Sequence, residues 1–195
     1  MRTFKPTWTN ITEMLGDLFN GCDAGGLAQA VRRMILPGFF EAPASWGHHH
    51  AFIGGLAAHT AEVVSHAVQA AGEDDLVLIT AAAVHDACKV HEYTIPGYRH
   101  TIGHIRGGAA LWLDVASRSG VDPDTVSEVA HMILSHHGPH PEWGSPVEPL
   151  SRRALILHHA DMVSARYPVS ATEDDHAAMQ AAIEPFCHYS IRLAR

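Results

Sequence analysis

The chain has 195 residues, 47% of them hydrophobic, and a formal net charge of −8 with histidines neutral. That length predicts one domain able to bury a real core, and the acidic balance excludes a basic surface built to hold long duplex nucleic acid. No run is long and apolar enough to span a membrane, and the segment from Met1 to Pro6 opens no signal-peptide core, so a cytoplasmic protein is expected. The three cysteines, Cys22, Cys88 and Cys187, are odd in number and widely spaced, which favours a reducing compartment over a disulfide framework. Alanine is plentiful and no stretch alternates over strand length, so the fold class expected is all-α. Histidine is the outlier at 17 residues, and metal binding or acid-base work is the usual reason to accumulate it.

In chain order, Thr9 or Asn10 caps a predicted first helix through Phe19, and Asp23 a second through Ile35. Leu36-Pro37-Gly38 stops the second, and Pro43 to Gly47 forms a loop leading into His48-His49-His50. A long helix is predicted from Ala51 to Ala71, with Phe52, Leu56, His59, Val63 and His66 near one face. The acidic Glu73-Asp74-Asp75 opens the next helix, an apolar run that ends on His85-Asp86. Residues 90 to 100 hold a proline, a glycine, two tyrosines and two histidines, and read as a loop over a site. Ile102 to Ser119 is predicted helical with His104 in its first turn, and Gly107-Gly108 weakens that helix unless something packs close. Asp122-Pro123 is an N-cap with proline at the first helical position, and the stripe Val126, Val129, Ile133 continues to His136, beside His137. Ser151 caps a last major helix, Arg152 to Ala165, on which Leu157, Asp161 and Ala165 share a face. Thr172 starts a short acidic helix, and the tail from Pro185 carries no signal. The expected division is an N-terminal helical extension at 1–45 packed on the core, a main domain at 46–170, and a C-terminal helix and tail at 171–195.

Five elements therefore place a metal-competent side chain where a hydrophobe or cap is expected: His59, His85-Asp86, His104, His136-His137 and Asp161. Each buried polar group needs a partner, and a shared metal centre supplies one to all of them. Two ligand sets result, His59, His85, Asp86 and Asp161 for one ion, and Asp86 again with His104, His136 and His137 for a second. Imidazole-rich coordination favours manganese, iron, cobalt, nickel or zinc over magnesium.

The order His59, His85-Asp86, Asp161 resembles the HD superfamily of metal-dependent phosphohydrolases, and His104 with His136-His137 resembles its two-metal branch. The likeness runs through His49-His50-Ala51-Phe52-Ile53-Gly54-Gly55-Leu56-Ala57-Ala58-His59, His85-Asp86-Ala87-Cys88-Lys89, Gly103-His104-Ile105, Ser135-His136-His137-Gly138 and His158-His159-Ala160-Asp161. It is nearest to the HD domain of YhaM-type 3′-to-5′ exoribonucleases. Those enzymes carry an N-terminal OB-type domain, for which the stretch before residue 46 is too short and too little strand-like. The segment Pro43-Ala44-Ser45 followed by His48-His49-His50-Ala51 also resembles the HD region of some conjugative relaxases. Gly55 stands where three-metal HD-GYP phosphodiesterases carry glutamate, so two ions are expected.

The resemblance implies a compact HD-domain helical bundle with its metal centre between core helices. It further implies a two-metal phosphodiesterase acting on nucleotides or short single-stranded nucleic acid through a bridging hydroxide. Asp86 would bridge the ions, and Lys89 would meet a non-bridging phosphoryl oxygen. His49, His50 and His158 are candidates to reach phosphate, or else to orient a ligand. Arg99 and Arg106 are weaker phosphate candidates that read more readily as solvated surface residues, and Cys88 reads as a small buried thiol. The alternatives are an HD-type di-iron oxygenase, which uses a similar ligand set, and a non-catalytic HD module that binds a nucleotide.

Overall fold

Helix starts follow the caps written in the sequence. Asp75 accepts a hydrogen bond from the Leu78 amide at 3.1 Å, Asp122 accepts from Thr125 at 2.9 Å, and Ser151 Oγ accepts from Ala154 at 3.1 Å; each satisfies an amide that the first turn leaves orphaned. The structure, a computed structural model, describes residues 26–71, 75–142 and 144–166. The predicted helix at 10–19, the Asp23 cap, the Thr172 helix and the tail lie outside them.

Among the described residues there are eight helices and no strand: α1 (Leu27–Met34), α2 (Gly55–Ala71), α3 (Leu76–Val84), α4 (Lys89–Thr94), α5 (Tyr98–Thr101), α6 (Gly103–Arg118), α7 (Pro123–Ser135) and α8 (Arg152–Arg166). The all-α expectation holds. Helix α3 is the hub. It is apolar on all sides, Leu78 to Val84 are buried without exception, and it packs against α1, α2, α7 and α8, as an all-round hydrophobic helix must. Around it, α2 lies on α8 and α6 on α7. Trp112 of α6 is fully buried and spends its indole N–H on the Val126 carbonyl of α7 at 2.9 Å. On α1, Leu27, Ala30, Val31 and Met34 form the buried stripe.

Two expectations about elements are corrected. The long helix begins at Gly55 rather than Ala51, because His50 (φ 48) and Gly54 (φ 85) adopt left-handed backbone and the His50 carbonyl occupies the space a Cβ at residue 55 would need. Residues 90 to 100 form the two short helices α4 and α5 rather than a loop; Pro96 and Gly97 punctuate the segment without dissolving it. The Gly107-Gly108 pair is answered by packing, since the Tyr98 hydroxyl lies where a Gly107 side chain would be and Ile133 abuts Gly108. No helix among the described residues is long and apolar enough to cross a membrane.

Asp75 does double duty, capping α3 and receiving Arg153 Nε of α8 at 2.6 Å. Replacing it with alanine removes a cap worth about 1 kcal/mol and part of a half-exposed ion pair worth less. The melting temperature is expected to fall by about 3–6 °C, measured by circular dichroism, with the α-helical spectrum retained.

Candidate metal centre

Helix ends and helix faces converge on one buried point. Asp86 sits in the turn between α3 and α4, where the Lys89 amide bonds its backbone carbonyl at 2.9 Å. His85 is the C-cap of α3, His136 the C-cap of α7, His59 projects from the start of α2, His104 from the start of α6, and Asp161 from the buried face of α8. His59, His85, Asp86, His136 and Asp161 are all buried.

The two oxygens of Asp86 face different neighbours. Oδ2 lies 3.4 Å from His59 Nε2 and 3.4 Å from His85 Nε2, and His59 Nε2 is in turn 3.1 Å from Asp161 Oδ1. Oδ1 lies 3.4 Å from His104 Nε2 and 3.6 Å from His136 Nε2. Ligand atoms sharing one tetrahedral ion at about 2.0–2.1 Å stand about 3.3 Å apart, so these separations are those of a ligand shell. Among the described residues, His59, His85 and Asp161 form one group able to hold a metal ion, and Asp86, His104, His136 and His137 another; His49, His50 and His59 form a third cluster.

The ring protons follow from their partners. His85 Nδ1 faces the Ala82 carbonyl at 2.8 Å, and His136 Nδ1 the Ile133 carbonyl at 2.7 Å; a carbonyl only accepts, so both Nδ1 atoms carry the hydrogen. His104 Nδ1 donates to Glu92 Oε1 at 2.7 Å. Ser164 gives its own hydrogen to Glu62 Oε2 at 2.6 Å and therefore accepts from His59 Nδ1 at 2.9 Å. With Nδ1 so committed, all four rings turn Nε2 toward carboxylate oxygens. His85 Nε2 and His59 Nε2 stand 3.3 Å apart, and His104 Nε2, His136 Nε2, Asp86 Oδ1 and Asp161 Oδ2 are buried without a hydrogen bond. Acceptors packed against acceptors are repulsive unless a cation lies among them, so the residues present fit a metal.

The titration behaviour has the same origin. Burial alone would raise the Asp86 carboxyl, but Lys89 and then His85 outweigh it and hold it well below the usual carboxylate range. Burial would raise Asp161 likewise, and His59 outweighs it downward. Burial keeps the imidazoles of His136 and His137 below their ordinary value, in the neutral form that ligates metals. His59 differs: burial lowers it, but the carboxylates of Asp161 and Asp86 outweigh burial and lift it to about 9, so a proton competes with a metal ion for its Nε2 lone pair.

The HD domain family profile matches residues 56–166, more than half of the chain. The chain belongs to the HD domain family. Curated relatives of this HD domain include a 3′-5′ exoribonuclease YhaM of Listeria welshimeri, 33% identical over an alignment of 153 residues that covers 71% of this chain and 47% of the relative. The protein of that name from Bacillus subtilis is 34% identical over 140 residues, 66% of this chain and 44% of the relative. The chain therefore spans less than half the length of the curated relatives it matches. No solved structure matches it significantly.

The HD-domain site draws in some of the expected substrate residues and sets others aside. Lys89 and His49 line a cavity of about 680 Å³ that also reaches His104, His137 and Asp161. Lys89 Nζ lies 2.6 Å from Asp86 Oδ2, an ion-pair approach without hydrogen-bond alignment. His49 is kept neutral, its imidazole lowered to about 3 by burial and then by His59 and Lys89. His50 and His158 are not among the cavity's lining residues. His50 is fully buried, with Nε2 3.0 Å from Glu62 Oε1, and His158 donates from Nδ1 to the His136 carbonyl at 2.8 Å; both brace the residues that face the centre. Cys88 is a buried thiol, pushed up to about 11 by burial, and so carries no thiolate for nucleophilic attack.

Sequence reasoning missed the bracing carboxylates. Glu92 accepts from both the amide and the ring of His104, at 2.9 Å and 2.7 Å; Glu62 anchors Ser164 and stands beside His50. The available signal was a polar residue one helical turn past a candidate ligand in an apolar helix: Glu62 after His59, and Ser164 after Asp161. Loss of such a partner typically weakens metal affinity about 10–100-fold. Glu92→Gln is expected to bind zinc or manganese that much more weakly by competition with a chelating dye. In the parent chain, adding metal at about a thousand times its Kd should raise stability by about 4 kcal/mol, with the gain reversed by EDTA in a thermal melt.

Proposed function

We propose that this HD domain is a metal-dependent phosphohydrolase that holds two divalent transition-metal ions and cleaves phosphodiester bonds of nucleotides or short single-stranded nucleic acid. The observation that carries this reading is the division of Asp86, one oxygen toward His59, His85 and Asp161 and the other toward His104, His136 and His137. A carboxylate so placed would serve both ligand sets, and the names of the YhaM relatives support a nuclease. The imidazole-rich set suits manganese, iron, cobalt, nickel or zinc.

Two such ions would polarise the phosphoryl oxygens and make water a nucleophile near neutral pH. The chain's own residues do the rest. Glu92, the Ala82 and Ile133 carbonyls and the Ser164–Glu62 pair hold the four rings in one tautomer, so that no reorganisation is required when charge develops. Lys89 lines the cavity beside Asp86 and supplies a positive charge for a non-bridging phosphoryl oxygen. Its charge favours this reading over a di-iron oxygenase with a similar ligand set, because a phosphoryl group arrives anionic and dioxygen arrives neutral. The intact ligand set favours catalysis over a non-catalytic module.

The protein, loaded in turn with each of the five metals, is assayed on single-stranded oligonucleotides and on bis(p-nitrophenyl) phosphate. Turnover with at least one ion is expected, abolished together with metal binding in Asp86→Asn. Lys89→Ala should keep its metal and lose about 10²–10³-fold in kcat with a smaller change in KM. A metal-replete chain inert on every substrate sinks the proposal.

A further inference from the structure

The cavity wall carries a feature that the metal chemistry does not use. Trp46 is 61% exposed, on the loop that Ser45 pins through its bonds to the His49 carbonyl at 2.7 Å and the His48 amide at 3.0 Å. Its ring lies 4.8 Å from that of Tyr93, centroid to centroid, at an interplanar angle of 44°. Tyr93 follows Glu92, the residue that fixes His104, so the ring behind Trp46 and the brace of a candidate ligand share helix α4. The two rings line both the 680 Å³ cavity and a neighbouring hollow of about 360 Å³ walled by Thr94, Ile95 and Pro96. Arg99 borders both spaces and Arg106 the larger one. Both arginines are exposed.

An exposed tryptophan face backed by a second ring, between arginines, at the mouth of a cavity leading to buried metal ligands, matches a polyanion that carries flat rings. A paired duplex hides its base faces in the stack, whereas a single strand presents them, and stacking tolerates any base. We propose that Trp46, backed by Tyr93, is a stacking platform for a nucleobase adjoining the scissile phosphodiester, with Arg99 and Arg106 meeting flanking phosphates, so that the site takes single-stranded nucleic acid in preference to isolated mononucleotides. This inference rests on the phosphohydrolase reading and narrows its substrate class.

Binding is measured apart from turnover, by fluorescence anisotropy of a labelled six-nucleotide phosphorothioate strand titrated with the metal-loaded full chain. One stacked base contributes about 5–150-fold in affinity. Trp46→Ala is expected to weaken binding by about tenfold, and Trp46→Phe, which keeps a ring, to recover most of it. A strand made abasic at one nucleotide in turn should show one position where the parent chain loses the same factor and Trp46→Ala loses nothing more. Unchanged affinity in Trp46→Ala, or an abasic penalty that persists undiminished in that variant at every position, overturns the platform. Cleavage without this coupling overturns the platform alone. The coupling without cleavage leaves the platform standing and overturns the hydrolase.

Discussion

Two carboxylates with almost no access to water set the terms for the rest of the structure. Asp86 and Asp161 are 1% and 3% exposed, inside a bundle whose central helix is apolar on every side. An unpaired buried carboxylate costs several kcal/mol or takes up a proton. One lysine, Lys89, approaches Asp86, and the remaining neighbours are imidazoles whose Nδ1 protons are committed elsewhere, His59 alone being raised toward a second proton that competes with a metal ion. The charge deficit that remains is the specification of a cation site. Of the chain's two lysines, Lys5 and Lys89, one is spent here.

The bundle meets that demand by using helix ends as mounting points. A residue at a helix C-cap has backbone close to helical but a side chain released from the regular ladder. His85 and His136 exploit this, each returning Nδ1 to the carbonyl three residues earlier, Ala82 and Ile133. That local loop fixes the ring plane without outside help. His59 and His104 stand at helix starts, where no such carbonyl is offered, and their rings are fixed from other elements: Ser164 and Glu62 for the first, Glu92 for the second. The end of the helix on which a histidine sits therefore decides whether its brace is local or distant.

This difference explains what the sequence made legible. Caps such as Asp75 and Asp122 act within three residues, so their residue types predict them. The candidate ligands were readable because a histidine or aspartate on an apolar stripe conflicts with its surroundings. The braces of His59 and His104 were not, since Ser164 lies 105 positions from His59 and Glu92 is an ordinary acid in a segment read as loop. That segment misled because Pro96 and Gly97 outweighed the helix-compatible residues around them. Its two short helices are tied to α6 by contacts beyond their own turns: Tyr98 fills the space above Gly107, and Glu92 accepts from the His104 amide. The pairing of Trp46 with Tyr93 was invisible for the same reason, the rings being contributed by elements 47 positions apart.

The distribution of charge also bears on how a substrate would approach. The whole chain carries −8, a field that repels polyanions at distance. Against it, Lys89, Arg99, Arg106 and Arg166 line a single cavity, and its buried acids are engaged with histidines and that lysine. Glu92 is held below its usual range, His104 outweighing the upward pull of burial, and is turned toward the histidine rather than the opening. A long duplex would meet the repulsive surface over most of its length and the basic mouth over very little. A short or frayed strand reverses that ratio. Because candidate ligands His104, His137 and Asp161 line that cavity, a phosphodiester cleaved as proposed would have to enter the hollow to reach them.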